Sequence, residues 1–279
     1  MAKTAEDVGF DSLWVGDHLL YRRPTGDVGP WEAWSTLAAL AEATSSVEIG
    51  PLVACTSFHS PPMLAKKAAM VDEISGGRLI LGLGAGWNEP DFSAFGFPYD
   101  RRASRFEEAF TIIRTLLREG QIDFHGQFYT ARDCELLPRG PRPNGPPLMI
   151  GSSGERMLNF TAPHMDSWNA WHDWFGNRPE GLAGFNAAVD AACRAGGRDP
   201  SEVERTATVY IQLTGGTGRG TSRDYAEPTP PHKGTSEELA GAIGSYADVG
   251  VSHVQLVLDP ITIESIEEVA PMLEILDRG

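Results

Sequence analysis

Short apolar runs alternate along the chain with segments in which apolar residues recur every three to four positions. The continuous runs are typical of strands buried on both faces, and the spaced segments predict helices with one apolar side. A strand is predicted over 79–83, and the preceding helix begins at Pro61 and ends at the glycines 76–77. About seven such strand–helix steps follow one another. This order predicts an α/β fold with parallel strands, a (β/α)8 TIM-type barrel.

The chain opens with the end of a helix, so the first strand of a barrel of this type has no counterpart in it. We expect either a true start upstream of Met1 or a partner segment that fills the gap. The upstream start is favoured because unpaired edge groups are costly. No shift in composition marks a domain boundary, so residues 1–279 are predicted to form one barrel domain. We interpret three stretches as loop insertions in this barrel, near 84–100, 120–146 and 214–234.

Charge and composition exclude several classes of protein. The 279 residues are 41% hydrophobic, which is enough for a sizeable core. The formal net charge of −15 argues against nucleic acid or an anionic membrane surface as a partner. No apolar run approaches the roughly 18–20 residues of a membrane helix, and no secretory signal is visible. Because Cys55, Cys134 and Cys193 have neither a disulfide pattern nor zinc spacing, we expect a cytoplasmic location.

Polar residues follow several of the predicted strands, where barrels of this type carry their active sites. His18 follows the first visible strand and can act as an acid or a base near neutral pH. Asp17 could orient His18 or cap a turn, and a structural role for His18 is the competing interpretation. The further candidates are Cys55–His59 after the second strand, Gly84–Glu89 after the third, Gly151–Gly154 after the fourth, and His172 with Asp173 after the fifth.

Two of these segments share features with ligand-binding motifs. The glycines of 82–86 lack the spacing of a dinucleotide fingerprint because position 87 is Trp87, and they indicate a backbone that approaches a flat ligand closely. The strand-to-helix turn at 152–154 suits a phosphate, although an ordinary tight turn explains it equally well. His164 and His172 lack the spacing of a metal-binding motif, so no metal site is predicted.

Several segments, taken together, resemble the luciferase-like flavin and deazaflavin superfamily over nearly the whole chain. The resemblance is closest to the branch of oxidoreductases that use coenzyme F420, a 5-deazaflavin. It implies a (β/α)8 barrel with the cofactor across the carboxyl ends of the strands. The segments that carry the resemblance are Gly9–His18, Leu64–Asp72, Ser75–Arg78, Leu81–Glu89, Pro146–Gly151 and Gly250–Leu258.

The resemblance also implies roles for single residues. His18 matches a histidine near the reactive ring carbon, and Asn88 matches an asparagine near the ring. Ala54 and Cys55 match a bulge where a non-proline cis peptide often supports the ring. Ser153 and Gly154 match backbone positions near the ribityl-phosphate arm. The predicted site therefore contains His18 and Asp17 as catalytic residues, and Ala54, Cys55, Gly86, Trp87, Asn88, Ser152, Ser153 and Gly154 as cofactor-binding residues.

The leading hypothesis is an oxidoreductase that transfers a hydride between coenzyme F420 and a small organic substrate. Sugar-phosphate dehydrogenase activity is not expected, because Trp87 stands where those relatives carry a catalytic glutamate. An FMN-dependent luciferase-like monooxygenase and a truncated, non-catalytic cofactor-binding barrel are the alternatives. A homodimer is expected from the resemblance alone. The aromatic residues predicted to form the wall of the pocket are Trp87, Phe92, Trp168 and Trp171.

Overall fold

The computed structural model describes residues 1–22, 26–219 and 228–278, and helices alternate with strands through most of them. The helices α1 to α10 span Ala2–Asp7, Ala33–Ala43, Pro61–Ser75, Glu89–Phe95, Arg102–Glu119, Glu155–Thr161, Ala183–Ala195, Ser236–Gly244, Ile263–Glu268 and Ala270–Leu276. The strands β1 to β10 span Ser12–Val15, Glu48–Pro51, Ala54–Cys55, Leu81–Gly84, Gln121–His125, Thr130–Glu135, Leu148–Ile150, Ser167–Trp171, Glu204–Gln212 and His253–Asp259.

These elements form two compact units, Leu13–Gly151 and Met1–Ser12 with Ser152–Gly279. In the first unit, β3, β4 and β7 lie side by side and run parallel. In the second unit, β8, β9 and β10 are also parallel neighbours, with Gln255 opposite Thr208. The predicted α/β class with parallel strands is therefore confirmed. The closure of a barrel and the absence of its first strand remain predictions.

Part of the first predicted insertion is helical. Residues 89–95 form α4, whose first turn contains Pro90 and whose end is marked by Gly96 with a φ of 78°. Proline is tolerated in a first turn because its nitrogen needs no helical partner there. A helix of seven residues has too few apolar positions to show a helical period, so the sequence did not distinguish it from a loop. The loop prediction for 84–100 is therefore wrong over α4.

The other two predicted insertions differ in how much of them is described. Within 120–146, β5 and β6 pair antiparallel as a hairpin. Its turn is held by Glu108 of α5, whose carboxylate accepts hydrogen bonds from the backbone N–H groups of residues 127–129. Of the stretch 214–234, residues 220–227 lie outside the described residues. The assignment of all these stretches to one barrel domain stays a prediction.

The glycines of β4 are required by a neighbouring side chain of the same unit. A Cβ atom at Gly84 would lie 2.7 Å from Cγ2 of Val53, and one at Gly82 would lie 2.9 Å from Cγ1 of Val53. Ordinary contacts between carbon atoms are about 3.5–4.0 Å, so a larger residue would displace Val53 or the strand. The sequence indicated close approach of a ligand at these glycines, whereas the structure shows close approach of Val53.

The packing against Val53 predicts a large difference in the free energy of unfolding between two glycine variants. Gly84→Ala should lower the free energy of unfolding by about 1–3 kcal/mol, because the added methyl group overpacks β4. Gly241→Ala is the control, since Gly241 lies in α8 with no atom within 4 Å of the added Cβ. It should be neutral or stabilising by up to about 1 kcal/mol. Urea unfolding measures both values, and equal stability of the two variants would contradict the packing argument.

Candidate active site

His18 is held by a carboxylate from α4. Its Nδ1 lies 2.7 Å from Oδ2 of Asp91, whose side chain is fully buried. The other carboxylate oxygen accepts hydrogen bonds from the backbone N–H groups of Leu19 and Leu20, at 3.0 and 2.6 Å. Because an ionised carboxylate can only accept, Nδ1 of His18 is the donor. Nε2 is then the ring nitrogen that Asp91 does not engage.

The environment of Asp91 keeps its carboxylate ionised. Burial acts to raise the pKa of Asp91, but hydrogen bonds from His18, Asn88 and Leu20 outweigh burial and leave the pKa below its ordinary value. Asn88 also donates from Nδ2 to the carbonyl oxygen of Leu20, at 2.8 Å. The segment after His18 and the start of α4 are thus tied together around one negative charge.

Aromatic rings flank His18. The ring of Trp87 meets it edge-on with a centroid distance of 5.5 Å, and the ring of Tyr21 lies 4.8 Å away. The backbone around Trp87 is fixed by two side chains, since Tyr99 donates to the Trp87 carbonyl and Arg102 donates to the Gly86 carbonyl. The structure therefore brings His18, Gly86, Trp87 and Asn88 together, as the sequence predicts, and adds Asp91, which the sequence did not single out.

Asp17 does not orient His18, which corrects the expected pairing. Its Oδ2 accepts a hydrogen bond from the backbone N–H of Cys55 at 2.9 Å, and Nε2 of His59 also lies 2.9 Å from that oxygen. Asp17 and His18 follow β1 along the chain, and their side chains reach different partners. Asp17 thus joins the end of β1 to β3 and to His59. The sequence placed His59 in a candidate segment without giving it a role.

The predicted contributions of Ala54 and Cys55 are limited by burial. Both side chains are buried, and burial, followed by the nearby charge of Asp17, raises the pKa of the Cys55 thiol. The thiol is therefore protonated and is not a nucleophile. The non-proline cis peptide bond lies at Leu52–Val53, two residues before the position that the resemblance implied. Both residues pair with β4, and the backbone N–H of Cys55 is bonded to Asp17, so they belong to the packed interior of the first unit.

Ser152, Ser153 and Gly154 lie in the second unit, at the turn before α6. The carbonyl of Ser152 accepts a hydrogen bond from Nε1 of Trp168 at 2.7 Å, and its hydroxyl accepts one from the N–H of Gly154 at 3.4 Å. Ser153 and Gly154 are exposed. The turn is therefore anchored on one side by Trp168 and open to solvent on the other.

Two of the four aromatic residues predicted to line a pocket are core residues instead. Phe92 is fully buried and packs edge-on against Phe58, with a centroid distance of 4.9 Å. Trp168 is also buried. Trp87 and Trp171 are partly exposed, so they alone of the four fit the prediction. The period of apolar residues cannot separate a pocket wall from a core, because both are apolar and both follow the strands.

His172 and Asp173 form a buried pair at the end of β8. Nδ1 of His172 lies 2.9 Å from Oδ1 of Asp173, and the Trp171 ring lies 4.6 Å from the His172 ring. Thr229 donates a hydrogen bond to the same carboxylate. These two candidates are therefore part of the packed interior of the second unit.

The described ranges of the chain contain neither a metal-binding cluster nor a membrane-spanning helix. No group of three or more His, Cys, Asp or Glu side chains there is arranged to hold a metal ion. No helix in those ranges is both long enough and apolar enough to span a bilayer. The first unit contains two histidine–carboxylate pairs in which the carboxylate is buried, His18–Asp91 and His59–Asp17.

A parallel α/β fold with a histidine held by a carboxylate after a strand is typical of an enzyme. Comparison with known proteins identifies the family of this chain. The chain belongs to the luciferase-like monooxygenase family, whose profile matches residues 1–215. This finding confirms the family that the sequence motifs resemble.

Two curated relatives are named for different reactions. The chain is 36% identical over 164 residues to the F420-dependent glucose-6-phosphate dehydrogenase of Amycolatopsis mediterranei, covering 57% of this chain and 48% of that protein. It is 31% identical over 176 residues to the pyrimidine monooxygenase RutA of Cronobacter sakazakii, covering 60% of this chain and 50% of that protein. The chain thus matches about half the length of these relatives. Both are oxidoreductases by name, which supports the expected class of enzyme.

A solved structure shares the fold. The F420-dependent secondary alcohol dehydrogenase in complex with an F420–acetone adduct superimposes with a TM-score of 0.82 at 20% identity. The match covers 99% of this chain and 93% of that chain. A likeness at this identity concerns the fold, and it agrees with the α/β class found here.

The lowered pKa of Asp91 predicts how the stability of the protein depends on pH. The pKa of Asp91 is lowered on folding, so its contribution is present above the unfolded value, near 4, and is lost as pH falls through the folded value. Asp91→Asn should therefore cost about 1.5–3 kcal/mol at pH 6, and the cost should shrink as the pH approaches 3. Urea unfolding at both pH values measures this change.

The matched control for that measurement is Asp11→Asn, because Asp11 is exposed. Its effect should stay within about 0.5 kcal/mol at both pH values. A cost for Asp91→Asn that is independent of pH, or equal to that of Asp11→Asn, would be inconsistent with an ionised buried carboxylate.

Proposed function

We propose that the chain is an oxidoreductase that transfers a hydride between coenzyme F420 and a small organic substrate. The observation that carries the proposal is the His18–Asp91 pair, in which a buried carboxylate holds one ring nitrogen and leaves Nε2 for a ligand. Relatives that are F420-dependent by name support the choice of cofactor. The pair gives the chain a proton carrier at the carboxyl end of β1, where barrels of this kind place their chemistry.

Proton transfer is the step that His18 would perform. When an alcohol and a ketone interconvert, the oxygen loses or gains a proton as the hydride leaves or reaches the carbon, so a proton carrier must lie beside that oxygen. Nε2 of His18 takes or gives this proton, and the hydrogen bond between Nδ1 and Asp91 holds the ring in place. The deazaflavin, when bound, supplies the hydride chemistry.

The side chains around His18 are suited to contact a flat redox-active ring. Trp87 and Tyr21 offer aromatic surface beside the imidazole, and His18 itself is about one-fifth exposed, at 20%. Gly86 adopts a φ of 76°, and its lack of a side chain lets this segment pack against Cys55 and Phe92. We therefore assign the ring to this region, with Asn88 as a residue that positions the loop around it.

Contact between the turn at 152–154 and the phosphate-bearing arm of the cofactor stays a prediction from the sequence. Backbone N–H groups at a strand-to-helix turn suit an anion, and Ser153 and Gly154 are exposed there. The hydrogen bond from Trp168 to the Ser152 carbonyl keeps the turn rigid. Ser152 contributes its hydroxyl to that local geometry, so the arm would contact the backbone of the turn more than its side chains.

An FMN-dependent monooxygenase is the second candidate function. The relative named pyrimidine monooxygenase RutA supports it, and so does the name of the family. Such an enzyme consumes O2 and needs a supply of reduced flavin, which distinguishes it from a hydride-transfer enzyme. The substrate, a homodimeric state and a cytoplasmic location stay predictions from the sequence.

Fluorescence titration with oxidised F420 and with FMN tests the choice of cofactor. The proposal predicts that F420 binds at least about tenfold more tightly than FMN, a difference of about 1.4 kcal/mol. Tighter binding of FMN together with O2 consumption would favour the monooxygenase. Failure to bind either compound would contradict both candidate functions.

Substitution of His18 tests the mechanism. His18→Ala should reduce turnover of F420 with small secondary alcohols or ketones by about 10²–10⁴-fold, because the proton carrier is lost. Binding of F420 should change by less than about threefold, since the aromatic residues remain. His125→Ala is the control, as His125 is exposed on the β5–β6 hairpin. Unchanged turnover in His18→Ala would rule out the proposed role.

A further inference from the structure

A cavity of about 310 Å³ lies in the first unit beside the start of α3. Most of its wall is apolar, and the residues that form this part are Phe58, Phe97, Pro61, Pro62 and Pro98. Small-molecule sites combine such walls with a few fixed polar groups, and this volume is at the low end of their range. The cavity is thus large enough for a compact organic molecule.

The charge in the wall of the cavity is already neutralised. Among the described residues that line it, Arg105 carries the only permanent charge, and its guanidinium lies 3.3 Å from the Asp100 carboxylate and over the Phe128 ring. Burial raises the pKa of Tyr129, so its phenol stays neutral. A ligand of this cavity should therefore be uncharged.

His59 supplies a fixed polar group to the same wall. Its Nε2 lies 2.9 Å from Oδ2 of Asp17, whose side chain is only 3% exposed. That oxygen also accepts the backbone N–H of Cys55, so it acts as an acceptor and Nε2 of His59 is the donor. The bond to Asp17 selects the tautomer of the ring, and the neutral ring then has its lone pair on Nδ1.

Nδ1 of His59 is the hydrogen-bond acceptor that the cavity offers. It bonds to no group in the part of the chain that the structure describes, and the protein does not enclose it. Two other sides of the ring are covered, because Asp17 lies at Nε2 and the Trp34 ring stands at 87° to it with a centroid distance of 6.3 Å. The Ser57 hydroxyl, by contrast, is enclosed and does not face the cavity. Since His59 lines the cavity, its accessible nitrogen opens into that volume.

These features select a neutral molecule with one donor and a flat apolar body. A lone pair on Nδ1 accepts a hydrogen bond, so the ligand must present an O–H or N–H group there. The phenylalanine rings of the wall pack favourably against another aromatic ring. A phenol meets both requirements, because its hydroxyl is attached directly to the aromatic ring and, like that of tyrosine, is protonated at neutral pH.

We propose that this cavity binds a small phenol. The phenol hydroxyl donates to Nδ1 of His59, and its ring packs against Phe58 and Phe97. Asp17 is a positioning residue, since it acts through His59. The site is independent of the proposed hydride transfer, because its recognition needs neither F420 nor His18.

Chemical-shift titration of the ¹⁵N-labelled chain with phenol, without any cofactor, tests the proposal. The Nδ1 signal of His59 and the amide signals of Phe58 and Phe97 should move and saturate together. Anisole, which has the same ring and no donor, should bind about tenfold more weakly, because the hydrogen bond to Nδ1 is lost. Absence of binding, equal affinity for phenol and anisole, or shifts confined to the amides near His18 and Trp87 would overturn the site.

Substitutions identify the group that recognises the hydroxyl. His59→Leu should weaken phenol binding by about tenfold and leave anisole binding within about threefold, because only phenol uses the acceptor. The double variant Asp17→Asn/His59→Leu should behave alike, and it avoids an unpaired buried carboxylate that could impair folding.

Ser57→Ala is the matched control in the same wall. Its hydroxyl is enclosed by the protein, so the substitution should change phenol affinity by less than about threefold. Unchanged phenol affinity in the folded double variant, or an equal loss in Ser57→Ala, would contradict recognition by His59.

Discussion

The carboxylate of Asp91 is the group on which the candidate active site depends. It is fully buried, and it must be paired because an isolated ionised carboxylate in an apolar interior is very costly. Its partners are the imidazole of His18 and the two backbone N–H groups that follow it. One buried charge therefore fixes the histidine ring, the course of the chain after β1 and the start of α4.

The position of Asp91 is set by the packing of the next residue. Phe92 is buried in a cluster with Cys55 and Phe58, and that cluster anchors α4 in the first unit. A side chain at Gly86 would lie 2.7 Å from the Phe92 ring, so the glycine is required for α4 to pack there. Packing of the aromatic cluster and placement of the active-site carboxylate are thus two consequences of the same short helix.

The strands and the longer helices could be predicted from the sequence, because their apolar residues recur with a clear period. The helix over 61–75 and the position of His18 at a strand end are examples. Asp91 could not be predicted in this way, since α4 is too short to show a period. The expected pairing of Asp17 with His18 followed their adjacency in sequence, whereas in the structure their side chains bond to different parts of the chain.

Tertiary packing also explains why the role of the glycines of β4 could be predicted only in part. The sequence indicates that something approaches 82–86 closely, but several partners would produce the same glycines. Val53 proves to be one such partner, and it comes from the segment before β3. Similarly, nothing in the local sequence of Phe92 or Trp168 separates a core residue from a pocket residue, because the difference lies in what the rest of the chain places over each ring.

The protonation of the His18 ring is the most direct test of this account. Long-range ¹⁵N–¹H correlation spectra of the free protein at neutral pH distinguish the two ring nitrogens, and His18→Gln identifies the signals. The account predicts a proton on Nδ1 that exchanges slowly with water, because it is shared with the buried Asp91. A ring that carries its only proton on Nε2, or an Nδ1 proton that exchanges as fast as that of exposed His125, would contradict it.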